Sequence, residues 1–571
     1  MRSHTLLLWL ALLPVLLMSG CNRDEVIPAA ALPEIVLSAD DATYTTVTDS
    51  EIIIAPLFRN LNGGTVEWLL EGEVYATGPE LRFISSSTGS FYFTVEATNS
   101  AGTSSADIRI NVIDRLLPFI SMRVPQGGFN VQTGTPITFT PELYNSSDPD
   151  YQIAWSVDGT EVSTERTFTF TPAVDGIYNI VVEASNSQGS ASLAFAITAT
   201  PQGPRNLYFP GLSYRYPSTT RYTFPGRPVC LWVTAEGFNP ESYAWSINGE
   251  DASDATGPML TFTPDRPGDY SVSVTTPEGA TATATVVCVD SDEASRIRLG
   301  SGTSPALTVY EYTPAPGQFI NEGTQADIVD AAAAASWASE RLAAVQTVSL
   351  GAFGGCLVAG FDRSISVNTG GEYDFAIAGN QFDNAQGASC EPGVVWVMQD
   401  VNGNGLPDDQ WYELRGSEWK STDGPASFAV TYYQPVAPQL PVLWSDSRGQ
   451  DGQVEYLPSH TQDSYYPLWL PASTYTLRGR LLPTRHEKDP VTGFWSNLPY
   501  GWGYVDNTGS DQLPGSSATG FKISNAVLPD GSPIELTYID FIMIQSAVLG
   551  QSGHLGEIST EVTSITLPLS K

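Results

Sequence analysis

The sequence predicts an all-β protein in which three tandem β-sandwiches precede a larger, jelly-roll-like β-sandwich carrying one short helix. Three observations predict it. A tryptophan-centred pattern recurs about every ninety residues over the first half of the chain. Short alternating apolar runs are separated by turns rich in Gly, Pro, Ser, Thr and Asn. Charged residues make up only 15% of the chain while aromatics reach 11%, the texture of an exported β-protein.

From the N-terminus, an apolar run from Leu6 to Leu17 follows Arg2 and is closed by Met18-Ser19-Gly20-Cys21. It is too short to stay in a bilayer as a helix, so residues 1–20 read as a signal peptide. A cysteine placed after Met-Ser-Gly resembles the lipobox of bacterial lipoproteins, which implies that Cys21 is acylated and becomes the mature N-terminus. The alternative is an ordinary secretory signal beside a chance cysteine. Residues 21–31 form a tether. Within it Asn22-Arg23-Asp24-Glu25 resembles the surface-export tag of Bacteroidota lipoproteins, implying an outer-membrane anchor with the protein at the cell surface; a periplasm-facing anchor is the other reading.

The roughly 550 residues that follow exceed one core and suggest about three to five domains. No second apolar stretch approaches membrane-spanning length. With Asp+Glu 62 against Lys+Arg 26, the net charge of −36 argues against nucleic acid or anionic lipid as a ligand, because both demand basic patches.

The repeat is marked by Glu67-Trp68, by Ala154-Trp155-Ser156-Val157-Asp158-Gly159 and by Ala244-Trp245-Ser246-Ile247-Asn248-Gly249. About twenty residues after each tryptophan come a glycine and an aromatic, Gly89 with Phe91, Gly176 with Tyr178 and Gly268 with Tyr270, and then an alternating strand. One tryptophan per unit indicates a sandwich with the ring between its sheets, so Trp68, Trp155 and Trp245 read as core residues. Asn99-Ser100-Ala101-Gly102 and Asn186-Ser187-Gln188-Gly189 read as tight hairpin turns. The sandwiches are assigned to residues 32–113, 114–200 and 201–292.

These features resemble the PKD-like and other immunoglobulin-like domains of bacterial surface proteins. The Asp-Phe-Gly-Asp-Gly core of the best-marked PKD domains is replaced here by Ser-Val-Asp-Gly or its relatives. The repeats are assigned to reach, three sandwiches in series holding a C-terminal domain away from the membrane.

Cys230, Cys288, Cys356 and Cys390 form an even set in an oxidising compartment, for which Cys230–Cys288 and Cys356–Cys390 disulfides are the simplest of three connectivities. None has zinc-site spacing, and His4, His460, His486 and His554 are isolated.

From about Ser295 the register of the repeat is lost, and residues 295–571 read as the jelly-roll-like ligand-binding domain. One helix signal stands out, Ala326 to Val345, with five consecutive alanines and Trp337. The sharpest motif follows the apolar strand Gly393–Met398: Asp400-Val401-Asn402-Gly403-Asn404-Gly405-Leu406-Pro407-Asp408-Asp409. Oxygen side chains at alternate positions and a turn-permitting glycine resemble the first part of an EF-hand calcium loop. Calcium, a hard cation that takes about six to eight oxygens, would be held by Asp400, Asn402, Asn404, the Leu406 carbonyl and Asp408 or Asp409. Trp411 stands where an EF-hand has its closing glutamate, so that ligand must come from Glu413, Asp374, Asp506 or Asp540. Such a calcium ion is expected to be structural; a metal-free Asn-Gly hairpin is the alternative.

A wider resemblance rests on Gly371–Phe375 with Ala378–Asn380, Glu391–Trp396, Asp400–Trp419, Gly501–Asn507, and Ile539–Phe541 with Gly556–Glu561. Together these segments are similar to a family of Bacteroidota PKD-like cell-surface lipoproteins. The family is associated with outer-membrane nutrient uptake, including that of cobalamin and related corrinoids. The resemblance implies a TonB-dependent receptor as partner and a corrinoid as ligand.

No catalytic constellation is legible; a glycosidase pair such as Glu413 with Asp506 or Glu557 needs spatial information that sequence lacks. The chain therefore reads as a binding protein and not an enzyme. Its ligand is expected on aromatics in Gly- and Pro-rich segments: Trp411, Tyr412, Trp495, Tyr500, Trp502 and Tyr504. The Phe494–Tyr504 cluster is foremost, since its glycines and proline argue against a buried strand. Cobalamin and a polysaccharide stay open as ligands, and an adhesive or structural role is the third reading.

Overall fold

The computed structural model describes residues 31–39, 41–300, 302, 304–384, 387–419 and 428–568. Cys21, the signal peptide and nearly all of the tether lie outside the described residues. The chain divides into two compact units, Met1–Leu116 with Asn145–Tyr151, and Leu117–Tyr144 with Gln152–Lys571.

The first unit holds one sandwich. Its main sheet runs, in spatial order, Thr43–Val47, Gly102–Ile113, Gly89–Asn99, Thr65–Leu70 and Glu73–Thr77. Two strand pairs, Glu34–Val36 with Leu57–Arg59 and Ile52–Ile54 with Leu81–Phe83, complete it. The second unit contains two further sandwiches whose five-stranded sheets repeat that order. In all three sheets the first strand lies parallel to the last and every other pairing is antiparallel.

Alternation explains these sheets. In Gly176–Asn186 the residues Ile180, Val182 and Ala184 are buried while Ile177 and Glu183 face outward. Trp68, Trp155 and Trp245 are core residues, at most 2% exposed. Each indole N–H donates to a main-chain carbonyl, of Gly78 at 3.0 Å, Glu165 at 2.9 Å and Gly257 at 2.9 Å, so a buried donor is satisfied in the same way three times. The Asp158-Gly159 and Asn248-Gly249 pairs have φ of 49° and 79°, and 52° and 85°, the type I′ geometry that a two-residue hairpin favours. Asn99 pairs with Gly102 and Asn186 with Gly189 across the expected tight turns.

The C-terminal region is built on a six-stranded sheet: Leu307–Thr313, Cys356–Ser366, Tyr538–Ser546, Gly393–Met398, Tyr412–Leu414 and Ala526–Val527 in spatial order. Every residue of Gly393–Met398 and Tyr538–Ser546 is buried. Alternate residues feed two cores: Val395, Val397, Ile542 and Ile544 one, Val394, Trp396, Met398, Phe541 and Met543 the other. A second sheet, Asp451–Val454, Val442–Asp446, Phe428–Tyr433 and Thr474–Gly479, packs onto the first core through Phe428, Val430, Tyr432, Tyr475 and Leu477.

The single α-helix among the described residues spans Ala331–Ala343, shorter than the Ala326–Val345 signal. Asp330 is why it starts late: its carboxylate accepts from the Ala332 and Ala333 amides at 2.9 and 2.8 Å, fixing the N-cap. Its alanines allow close approach to the sheet, with Ala334, Ala335 and Ala338 in the core.

Two expectations are corrected. The third sandwich is not a free spacer, because Leu212, Trp232 and Cys230 sit in the cores of the C-terminal domain. Nor do the cysteines pair: Cys230, Cys288, Cys356 and Cys390 are four free, buried thiols. Alternation along Val229–Trp232 sends Val229 and Leu231 into the third sandwich and turns Cys230 outward into the C-terminal core. The Cys356 sulfur faces Glu311 Oε1 at 3.6 Å, and that of Cys390 faces Thr508 Oγ1 at 3.3 Å.

Candidate functional site

The Asp400–Asp409 loop leaves the buried strand Gly393–Met398 and is wound tightly by its own side chains. Asp400 Oδ2 accepts from the Gly405 amide at 2.9 Å; Asn402 Oδ1 accepts from Asn404 N at 2.9 Å, and Asn404 Oδ1 from Leu406 N at 2.7 Å. Gly403 and Gly405, at φ of 73° and 77°, permit the winding. Asp409 Oδ2 accepts from Val401 N and Asn402 N at 2.6 and 3.2 Å. The Asn402 and Asn404 amides meet the Asp408 carboxylate at 3.0 to 3.2 Å. Burial raises the pKa of both Asp400 and Asp409, the latter to about 8.

Each of the four residues expected to close this loop already has partners. Asp540 accepts from Arg298, Ser364 and the Asp400 amide, and Asp374 from the Asn368 and Ile523 amides. Glu413 is ion-paired with Arg480 at 2.5 Å inside the protein. Asp506 and Glu561, both buried, lie with the half-buried Glu391 in a set with one oxygen from each within 4.8 Å of the others. Burial and the neighbouring carboxylates push Glu391 and Asp506 well above the usual carboxylate range, and burial takes Glu561 to about 7.

The structure does not gather the expected aromatics at one exposed site. Trp411, Tyr412, Tyr500 and Tyr504 are buried in the two C-terminal cores. Tyr500 donates its hydroxyl to the Pro483 carbonyl at 2.5 Å, and the Tyr504 hydroxyl accepts from Glu418 N at 2.9 Å. Trp495 is half-buried, with His486 edge-on at 5.2 Å. Only Trp502 of the six is exposed, at 38%. The glycines here serve packing: a Cβ on Gly503 would lie 2.4 Å from the Gly416 Cα, and one on Gly416 would lie 2.4 Å from the Tyr504 ring.

What the structure does offer is a cleft of about 960 Å³ in the second unit. Its floor is the outer face of the second C-terminal sheet, where Thr431, Tyr433, Thr476 and Arg478 alternate with the core residues. The opposing wall comes from the third sandwich, with Tyr208, Tyr214 and Thr234–Asn239, and from Pro125 and Gln126 of the second. Tyr214 is held in place by the buried Glu311, whose Oε1 accepts from the Tyr214 and Arg215 amides at 3.0 and 3.2 Å. Its ring remains 37% exposed and stands edge-on to Tyr475 at 6.0 Å. The Arg478 guanidinium sits 5.3 Å from the Tyr208 ring centroid and donates to its hydroxyl. Thr431 and Thr476 bond each other at 2.7 Å, Tyr433 and Ser445 at 2.8 Å. The cleft joins residues hundreds of positions apart, so no local motif announces it. The alternation of Thr431 and Tyr433 with Val430 and Tyr432 was the one signal of a polar outer face.

Comparison with known proteins bears on the sandwiches. The PKD-like domain family matches residues 32–99 and 118–186. No curated protein matches the sequence. Among solved structures, fibronectin(III)-like modules of CbhA from Clostridium thermocellum are similar at 14% identity over 29% of this chain and 94% of theirs, with a TM-score of 0.20. An I-band fragment of titin is similar at 14% identity over 45% of this chain and 98% of its own, with a TM-score of 0.14. The N-terminal four Ig domains of Dscam1 isoform 1.9 are similar at 17% identity over 45% of this chain and 73% of theirs, with a TM-score of 0.14. The PKD-like domain family thus covers most of the first sandwich and of the second, within a chain of tandem β-sandwiches.

Proposed function

We propose that this chain is a lipid-anchored outer-membrane protein, displayed at the cell surface, that captures a nutrient in the tyrosine-lined cleft, and that the nutrient is a corrinoid such as cobalamin. The cleft carries the reading. Its volume, about 960 Å³, is at the upper end for small-molecule sites, and its walls set the Tyr214 ring beside hydroxyls and a guanidinium. A corrin offers a flat, partly apolar face and a rim of amides, which such walls can stack on and hydrogen-bond. The likeness of the C-terminal segments to corrinoid-linked surface lipoproteins supports the same ligand, and a TonB-dependent receptor is the partner that would accept it.

A glycan is the second reading, favoured by the hydroxyls of Thr431, Thr476 and Ser445 along the floor. Calorimetry on the full chain with cyanocobalamin and with soluble polysaccharides separates the two. Submicromolar cobalamin binding, weakened at least about tenfold by Tyr214→Ala (~1.4 kcal/mol), is expected. Binding of a polysaccharide alone, with the same sensitivity to Tyr214, would transfer the site to the second reading. Binding of neither would leave an adhesive role for the sandwiches.

A further inference from the structure

The Asp400–Asp409 loop has no place in the cleft, and its oxygens are arranged for a cation. Asp400 is 4% exposed, and the bond from Gly405 N to its Oδ2 holds the carboxylate inside the turn; its Oδ1 is buried with no partner. Asp409, also 4% exposed, gives Oδ2 to the Val401 and Asn402 amides, and its Oδ1 too is buried with no partner. Two carboxylate oxygens are therefore withdrawn from water without a donor, an arrangement that is costly unless positive charge meets them. Beside them Asn402 and Asn404 bring their amides within hydrogen-bonding distance of the Asp408 carboxylate. Asn402 Oδ1 and Asn404 Oδ1 each accept one backbone amide and keep a second lone pair.

We infer that the loop holds one calcium ion, with Asp400, Asn402, Asn404 and Asp408 as side-chain ligands, the Leu406 carbonyl as main-chain ligand and Asp409 as the closing carboxylate. An all-oxygen set of this size suits calcium, whereas magnesium demands a tighter octahedron and keeps more of its water. Asp540 is a positioning residue: it takes the Asp400 amide at 2.8 Å and is itself fixed by Arg298 at 3.0 Å. The ion also acts on the junction with the third sandwich. Tyr222 and Arg221, on the edge strand Thr220–Thr223, stand beside Asn402 and Asp409, and Arg227 donates to Gln399 at 2.5 Å one residue before the loop. Calcium at Asp400 thus clasps that strand to the C-terminal domain.

The test is calorimetry on the full chain, stripped with chelator, against CaCl2 and MgCl2, with thermal melting alongside. One calcium per chain, weaker magnesium binding and a raised melting temperature are expected. Asp400→Asn, which keeps the shape, and Asn404→Ala, on an exposed position, should each weaken calcium at least tenfold while the stripped variants melt no lower than the stripped wild type. Absence of both heat and thermal shift in the wild type overturns the site. So does undiminished calcium binding in both variants, which would move the ion elsewhere, to Glu391, Asp506 and Glu561 for instance.

Discussion

Trp155 fills the middle of the second sandwich, 5.3 Å from the Phe168 ring and 6.1 Å from that of Phe139, with its N–H on the Glu165 carbonyl. Trp155→Ala is expected to cost about 3–5 kcal/mol through cavity and lost transfer energy, read as a lower urea midpoint. Glu561 sets a pH dependence. Its folded-state value of about 7 is raised above the ordinary carboxylate value, so the folded state holds a proton that the unfolded chain has released. The associated stability is complete below the unfolded value, near 4.5, and is lost as pH rises through about 7. Melting in chelator should therefore fall between pH 5 and pH 8, and Glu561→Gln should flatten the fall; a profile rising over that window would contradict the account.

At the level of elements, the sandwiches were legible because each repeated residue answers a local demand. The tryptophan answers the core, and Asp158-Gly159 and Asn248-Gly249 answer the left-handed backbone of a type I′ turn. Asn248→Val, which puts a β-branched side chain at a φ of 52°, should cost about 1–2 kcal/mol. The 494–504 segment was misread for an equally physical reason. Its glycines look like those of an exposed loop, but Gly503 lets one backbone lie against Gly416 and seats the Tyr504 ring. Composition cannot tell a glycine that frees a chain from one that admits a neighbour. Gly503→Ala, at a φ of 89° and against the Gly416 backbone, should destabilise the C-terminal domain by more than the ~1 kcal/mol of an ordinary glycine substitution.

At the scale of the molecule, the second unit gathers two sandwiches and the C-terminal domain, the third sandwich sharing cores with that domain, and the cleft lies where they meet. The thiols follow from the same packing. Alkylation in denaturant without reductant should label Cys230, Cys288, Cys356 and Cys390 alike, and mass spectrometry would count them; protection of any two would indicate a disulfide that the structure lacks. The cleft itself is tested most directly by hydrogen exchange on the full chain with and without cyanocobalamin, and in parallel with a bound polysaccharide. Ligand capture in the cleft predicts slowed exchange in the wall segments around Tyr214 and Thr234–Asn239, with 494–504 unchanged. Slowed exchange at 494–504 with an unchanged wall would contradict it.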